Sequence, residues 1–227
     1  PGLGTITKEL LEKAGKVICI ELDERMITIL NDRFSLNDNF ELINEDVLKV
    51  NLQELINKEN FKTTKIVANL PYYITTPIIM KLLEERLDIE TITVMIQKEV
   101  AQRLVAEPGK GESGAITYAI HYYTKPKTVL QVPNTAFIPE PKVNSTVIQL
   151  EVQKEPTVKV SNEEKLFELI KIAFMQKRKT LVNALTNSNK YGTKEEVEKT
   201  INQMGLDLRI RPEKLTLEQY AELSKII

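Results

Sequence analysis

Lys65-Ile66-Val67-Ala68-Asn69-Leu70-Pro71-Tyr72-Tyr73-Ile74-Thr75-Thr76-Pro77 joins an apolar, β-branched run to a proline turn and then to a helix start. Residues 65–69 read as a strand. Thr76-Pro77 reads as the N-terminus of a helix, because Thr can cap free amides and Pro fits the first turn. Working outward, similar β-rich runs occur at 16–22, 39–44 and 91–97, with amphipathic stretches after the first and third strands. That alternation is the pattern of βαβ units around a mostly parallel sheet. Two further β-rich runs, 127–132 and 145–152, are close enough to pair antiparallel at one edge, which makes the expected fold an α/β domain with a mixed sheet.

After Glu155-Pro156 the strand pattern stops. Three capping boxes follow, Ser161 with Glu164, Thr193 with Glu196 and Thr216 with Gln219, each before an apolar-periodic segment. The reading is two domains: an α/β domain over 1–156 and a small all-α domain over 157–227, whose first helix spans about residues 162–185.

The 227 residues are enough for one large domain and one small one. The 42% hydrophobic and 28% charged residues are ordinary for a soluble globular protein, and no apolar run approaches the ~18 residues of a membrane span. The one cysteine, Cys19, lies in an apolar run and reads as core; one thiol allows no intrachain disulfide and fits a reducing, cytoplasmic compartment. Net charge is −1, but residues 1–60 carry 7 basic against 12 acidic side chains and residues 61–227 carry 24 against 20. The later excess permits an anionic partner; solvated surface charge explains it equally well. The chain opens without Met on Pro1-Gly2-Leu3-Gly4, a turn with nothing before it, so a preceding segment is expected.

Gly2 and Gly4 precede a helix-like stretch, 5–14, so that backbone amides can approach a ligand with no side chain in the way; by itself such a turn is only a turn. Glu21 ends the next strand at the distance where a carboxylate accepts the hydroxyls of a ribose, while Asp23 in Glu21-Leu22-Asp23 suits the capping of the following helix. Asp46, followed by Val47, ends the strand after that and can accept from an adenine amino group, or be an ordinary loop carboxylate. Asn69-Leu70-Pro71-Tyr72 is the sharpest feature. Proline holds Leu70 extended, so the Asn69 side-chain oxygen and a backbone carbonyl can converge on one external atom. Two acceptors suit an amino group with two N–H donors such as adenine N6, whose lone pair is conjugated into the ring until hydrogen bonding pulls it toward pyramidal geometry. Tyr72 offers a flat face to an extruded base; the alternative makes Tyr72 and Tyr73 core aromatics. Phe137, in the proline-stiffened run Phe137-Ile138-Pro139-Glu140-Pro141-Lys142-Val143, fits either a pocket mouth or the core. Lys177-Arg178-Lys179 is a compact basic cluster able to touch phosphates, or a solvated helix face. His121, in the apolar stretch 115–123, reads as structural. No metal-ligand spacing, phosphate-binding loop with Lys-Ser/Thr or nucleophile elbow is present, which argues against hydrolases and kinases.

In combination these motifs, with Gln97-Lys98-Glu99-Val100 and Arg178-Lys179-Thr180-Leu181, resemble the small-subunit ribosomal RNA adenine dimethyltransferases of KsgA type, over essentially the whole chain. The erythromycin-resistance methyltransferases share several of them; the Arg178 to Leu181 segment and the length of the helical tail favour the KsgA type. The resemblance implies a Rossmann-like class I methyltransferase domain with a helical C-terminal domain contributing to rRNA binding. It implies a monomer that uses S-adenosyl-L-methionine to dimethylate two adjacent adenosines in the 3′-terminal hairpin of 16S rRNA within the small ribosomal subunit, with a role in subunit biogenesis. Gly2, Gly4, Glu21, Leu22, Asp46, Val47 and Asn69 would line the cofactor; Asn69 with the Leu70–Pro71 backbone would orient the amine; Tyr72 and Phe137 would stack on the base; Lys177, Arg178 and Lys179 would contact RNA; no metal is implied. The family's first strand, with Glu-Ile-Gly before Pro1, and an earlier Gln-Asn-Phe-Leu segment are not in residues 1–227, so this span alone is expected to bind cofactor weakly and to be inactive. Ser113-Gly114-Ala115-Ile116 departs from the Tyr-Gly followed by Arg or Ser and Leu that relatives often carry.

Overall fold

The computed structural model describes residues 1–59, 61–176 and 178–227. They form two compact units, Pro1–Asp88 and Ile89–Ile227. In the first unit the order is α1 (Thr5–Leu11), β1 (Val17–Glu21), α2 (Glu24–Phe34), β2 (Phe40–Asn44), α3 (Leu52–Glu59), β3 (Lys65–Asn69) and α4 (Thr75–Glu84). β1 and β2 run parallel, with Val17 opposite Phe40 and Glu21 opposite Asn44. Leu11, Val17, Cys19, Leu30 and Phe34 make a buried cluster, with Leu10, Met26 and Phe40 packed on it. Cys19 is core, as its apolar surroundings suggested, and burial pushes its thiol up from the ordinary value.

The second unit holds β4 (Thr91–Gln97), α5 (Lys98–Val105), α6 (Ala115–Tyr123), β5 (Thr124–Val132), β6 (Ser145–Val152), α7 (Glu163–Met175), α8 (Leu181–Thr186), α9 (Lys194–Gln203) and α10 (Leu217–Ile226). β6 pairs antiparallel with β4 on one side and with β5 on the other. β5 starts three residues earlier than its sequence pattern suggests. Pro126 is opposite Leu150 in it, and a proline, lacking the N–H, is accommodated on an edge strand. Parallel and antiparallel pairing are thus both present, as a mixed α/β fold requires.

Secondary structure changes from strand to helix after residue 152, yet the helical segment is knitted into the second unit. Tyr118 of α6 is fully buried; its hydroxyl donates to the Leu215 carbonyl at 2.7 Å and its ring meets Tyr220 edge-on with centroids 4.9 Å apart. Tyr220 donates to the Pro212 carbonyl at 3.0 Å. Burial pushes the Tyr118 phenol up to about 12. The Ser113 hydroxyl, in the segment that departs from the family pattern, donates to the Glu213 carbonyl at 3.3 Å. At the start of α7, Tyr122 donates to Glu163 at 3.1 Å and Tyr123 donates to the other carboxylate oxygen.

Three local expectations need correction. The cap of α7 is Asn162, which accepts from the Lys165 amide at 2.9 Å, and not Ser161; starting there places Glu163 in the first turn, within reach of both tyrosines. α4 begins at Thr75 rather than Thr76, and its cap position is Ile74, which has no side-chain acceptor; the Thr75 hydroxyl donates back to the Pro71 carbonyl at 3.1 Å. The single helix expected over 162–185 is two: α7 ends at Met175, and Thr180 caps a new helix by accepting from the Asn183 amide. The Leu181 amide is bonded to the Ile210 carbonyl at 2.8 Å, which draws the chain out of the α7 axis. The boxes at Thr193 and Thr216 form as read.

Candidate active site

The glycine turn is shaped by conformation and by what lies beneath it. Gly2 and Gly4 have φ of +56° and +80°, and a Cβ on Gly4 would stand 2.4 Å from Phe34 Cε2. The region is one that only glycine visits freely. The Gly2 amide donates to Glu21 Oε2 at 3.1 Å, which ties the turn to the carboxyl end of β1. The other carboxylate oxygen accepts from the Leu22 and Asp23 amides at 2.9 and 3.0 Å. A carboxylate has about four acceptor positions. Three are therefore taken by backbone amides, and the fourth, on Oε2, accepts no hydrogen bond among the described residues; the Pro1 amine stands 3.7 Å from that oxygen.

Asp23 performs the capping expected of it, accepting from the Arg25 amide at 2.9 Å and from the Arg25 guanidinium; these hydrogen bonds hold its carboxyl down to about 2. Leu22 is 65% exposed beside Glu21, a flat apolar surface at the strand end. The Asn44 side chain and the Glu45 amide both donate to the Glu21 carbonyl, at 3.0 and 3.1 Å, so the end of β2 is fastened to the end of β1. Asp46 follows directly. Its Oδ1 accepts from the Leu48 amide at 3.0 Å, which orients the carboxylate and leaves Oδ2 to accept from outside; Val47 is half-buried beside it. Gly2 is hydrogen-bonded to Glu21, and Asp46 follows the Glu45 whose amide bonds to the Glu21 carbonyl, so the three lie at the carboxyl ends of two parallel strands, the edge where α/β sheets bind nucleotides.

Asn69 is the last residue of β3 and is exposed, whereas Leu70 is 7% exposed and anchors the chain. The Ile74 amide donates to the Pro71 carbonyl at 3.1 Å, closing a tight turn that presents Tyr72 and Tyr73, 39% and 87% exposed. Core packing of these rings is excluded. Phe137 lies in the second unit and is half-buried. Its amide donates to the Asn134 carbonyl at 3.2 Å. Arg178 and Lys179 are exposed in the turn between α7 and α8, not on a helix face; Lys177 lies outside the described residues.

Two contributors have no signal in the sequence. Arg33, thirty residues from the glycine turn, donates to the Leu3 carbonyl and stands 5.3 Å over the Phe34 ring. Asn134 fastens the proline loop: its amide donates to Asn144 Oδ1 at 3.0 Å and its side chain to Glu140 Oε1 at 2.6 Å. An asparagine ahead of a proline-rich loop hints at the second only in retrospect.

The family model for ribosomal RNA adenine dimethylase matches residues 1–227. The chain belongs to the ribosomal RNA adenine dimethylase family. Members it is similar to include proteins called ribosomal RNA small subunit methyltransferase A. That of Alkaliphilus metalliredigens is 47% identical over 226 residues, 99% of this chain and 79% of that protein. The Geobacillus sp. protein of the same name is 46% identical over 231 residues, 100% of this chain and 79% of its own length. Among solved structures, a dimethyladenosine transferase from Plasmodium falciparum is similar with a TM-score of 0.78 at 26% identity, covering 98% of this chain and 85% of that one. The 23S rRNA methyltransferase ErmE gives a TM-score of 0.71 at 25% identity, covering 99% and 87%. The dimethylase family is therefore the frame for the Glu21, Asp46 and Asn69 geometry, and its class I methyltransferase fold is the α/β fold read from the strand pattern.

Proposed function

We propose that the protein transfers methyl groups from S-adenosyl-L-methionine to N6 of two adjacent adenosines in the 3′-terminal hairpin of 16S rRNA, within the small ribosomal subunit, as a step of subunit biogenesis. It does so as a cytoplasmic monomer. The observation that carries the reading is the exposed Asn69 at the end of β3, followed by an anchored Leu70 and a turn that offers Tyr72, in a chain of the dimethylase family.

The sulfonium supplies an electrophilic methyl group. Glu21 holds the ribose through its remaining Oε2 position, Asp46 Oδ2 accepts from the cofactor's adenine amino group, and Gly2, Gly4, Leu22 and Val47 shape the walls. Asn69 Oδ1 and the Leu70 carbonyl accept the two N6 hydrogens and draw the lone pair out of conjugation. Tyr72 supplies an aromatic face for the flipped base, and the resemblance assigns Phe137 to base stacking as well. With the cofactor bound, the N6 lone pair would form the N–C bond as the C–S bond breaks, S-adenosylhomocysteine would be the leaving group, and the alkylated nitrogen would pass its proton to solvent. A second round on each adenine completes four transfers. The step needs positioning more than a strong base. Arg178 and Lys179, with Lys177, contact phosphates from the helical segment of residues 157–227.

Unmethylated small subunits incubated with the protein and S-adenosyl-L-methionine are digested to nucleosides. N6,N6-dimethyladenosine is the expected product; its absence sinks the proposal.

A further inference from the structure

The fold hides its aromatic side chains with one exception. Among the described residues, Tyr72 and Tyr73 are the only aromatics in the set of strongly exposed large apolar side chains; the other Tyr and Phe residues are buried or half-buried. The two are consecutive, and they follow Asn69 by three and four residues. Tyr72 already has a task in the proposed reaction. Tyr73, at 87% exposure, has none, although a phenol ring left in water forgoes the burial that large apolar side chains ordinarily gain.

The support beneath Tyr73 is rigid. The Ile74 amide and the Thr75 hydroxyl both donate to the Pro71 carbonyl, each at 3.1 Å, and the Ile78 amide continues the helix by donating to Ile74 at 3.1 Å. α4 then anchors the turn through Ile78, Ile79, Leu82 and Leu83, none more than 6% exposed. An aromatic side chain with two torsions on such a platform presents a flat apolar face with little conformational freedom left to lose. What matches such a face, beside a site that extrudes a base, is another base. Removing one adenine from its stack uncovers the face of its neighbour on the same strand. Stacking on an aromatic ring is tolerant of base identity.

We infer that Tyr73 is a second stacking subsite, which takes the nucleobase flanking the target adenine, so that the turn after Asn69 grips two consecutive nucleotides. This rests on the RNA-adenine reading above. It gives the enzyme a physical means of engaging a dinucleotide step rather than an isolated adenosine.

The test uses the protein and an RNA hairpin carrying two adjacent adenosines, with the fluorescent base 2-aminopurine placed at each flanking position in turn. Wild type, Tyr73→Ala and Tyr73→Phe are compared for quenching, hairpin affinity and methyl transfer, with thermal melting as the folding control. Wild type and Tyr73→Phe should quench one flanking position, whereas Tyr73→Ala should lose the quenching and bind about 5- to 150-fold more weakly, with KM for S-adenosyl-L-methionine and Tm unchanged. The inference is overturned if wild type quenches neither position, if Tyr73→Ala quenches and binds like wild type, or if Tyr73→Phe is as weak as Tyr73→Ala. Quenching by a wild-type protein that transfers no methyl group would remove the methylation reading and leave the subsite. Transfer with no effect of Tyr73→Ala would do the reverse.

Discussion

Replacing Glu21 by Gln changes one oxygen to an amino group and tests how the carboxylate is shared. If the retained oxygen keeps the Leu22 and Asp23 amides at 2.9 and 3.0 Å, the new NH2 group faces the Gly2 amide, now 3.1 Å from an acceptor, and sets donor against donor. The only free acceptor position, the one assigned to the ribose, disappears as well. A hydrogen bond to a charged group contributes about 1.5–3 kcal/mol, so binding of S-adenosylhomocysteine should weaken about 10- to 150-fold. The measurement is a calorimetric titration of the protein in wild-type and E21Q forms. Asp23→Ala is the control: it removes the α2 cap, which should cost about 0.5–2 kcal/mol of stability, but no proposed cofactor contact. A change of less than about threefold for E21Q, against the loss expected for a charged hydrogen bond, would refute this account of the carboxylate.

Gly4→Ala must place a Cβ at φ +80° and 2.4 Å from Phe34 Cε2, so it should destabilise the first unit by about 2–4 kcal/mol, read as a lower urea midpoint. Tyr118→Phe removes the donor to the Leu215 and Pro212 carbonyls and should cost about 1–3 kcal/mol, a fall in Tm of several degrees; an unchanged Tm would mean that the α6 link to the helical segment contributes nothing. His121 is held below its ordinary value, first by burial, and its Nε2 is buried without a partner. The unfolded chain therefore takes up a proton near pH 6.5 that the folded chain takes up only at lower pH. Stability is full above that value and falls as pH drops from it toward the folded pKa, and His121→Gln should flatten this part of a denaturation profile measured from pH 8 to pH 5.

What the sequence made legible was whatever depends on neighbours within a few residues. β3 occupies residues 65–69 because a β-branched run is stopped by Asn69 and Pro71, and the boxes at Thr193 and Thr216 close on residues three positions away. What it hid depends on partners far along the chain. The break between α7 and α8 needs the Ile210 carbonyl to hold the Leu181 amide, and the choice of Asn162 over Ser161 goes with tyrosines forty residues earlier. α3 and α5 are not legible because each is only eight residues long, shorter than the window of about 11–18 residues in which helical periodicity shows. The site divides in the same way. Gly2, Glu21 and Asp46 are legible from strand ends and spacing; a hydrogen bond joins the first two, and Asp46 follows the Glu45 that bonds to Glu21. The sharing of the Glu21 carboxylate, the hold of Arg33 on Leu3 and the exposure of Tyr73 required coordinates.

The central claim is that Asn69 orients an adenine amine for methylation. Transfer of labelled methyl groups from S-adenosyl-L-methionine to unmethylated small subunits, compared between the protein and its Asn69→Ala variant, tests it most directly. The account predicts label on adenine N6 with the wild type and its loss with the variant, at unchanged Tm. Equal labelling by both would contradict it.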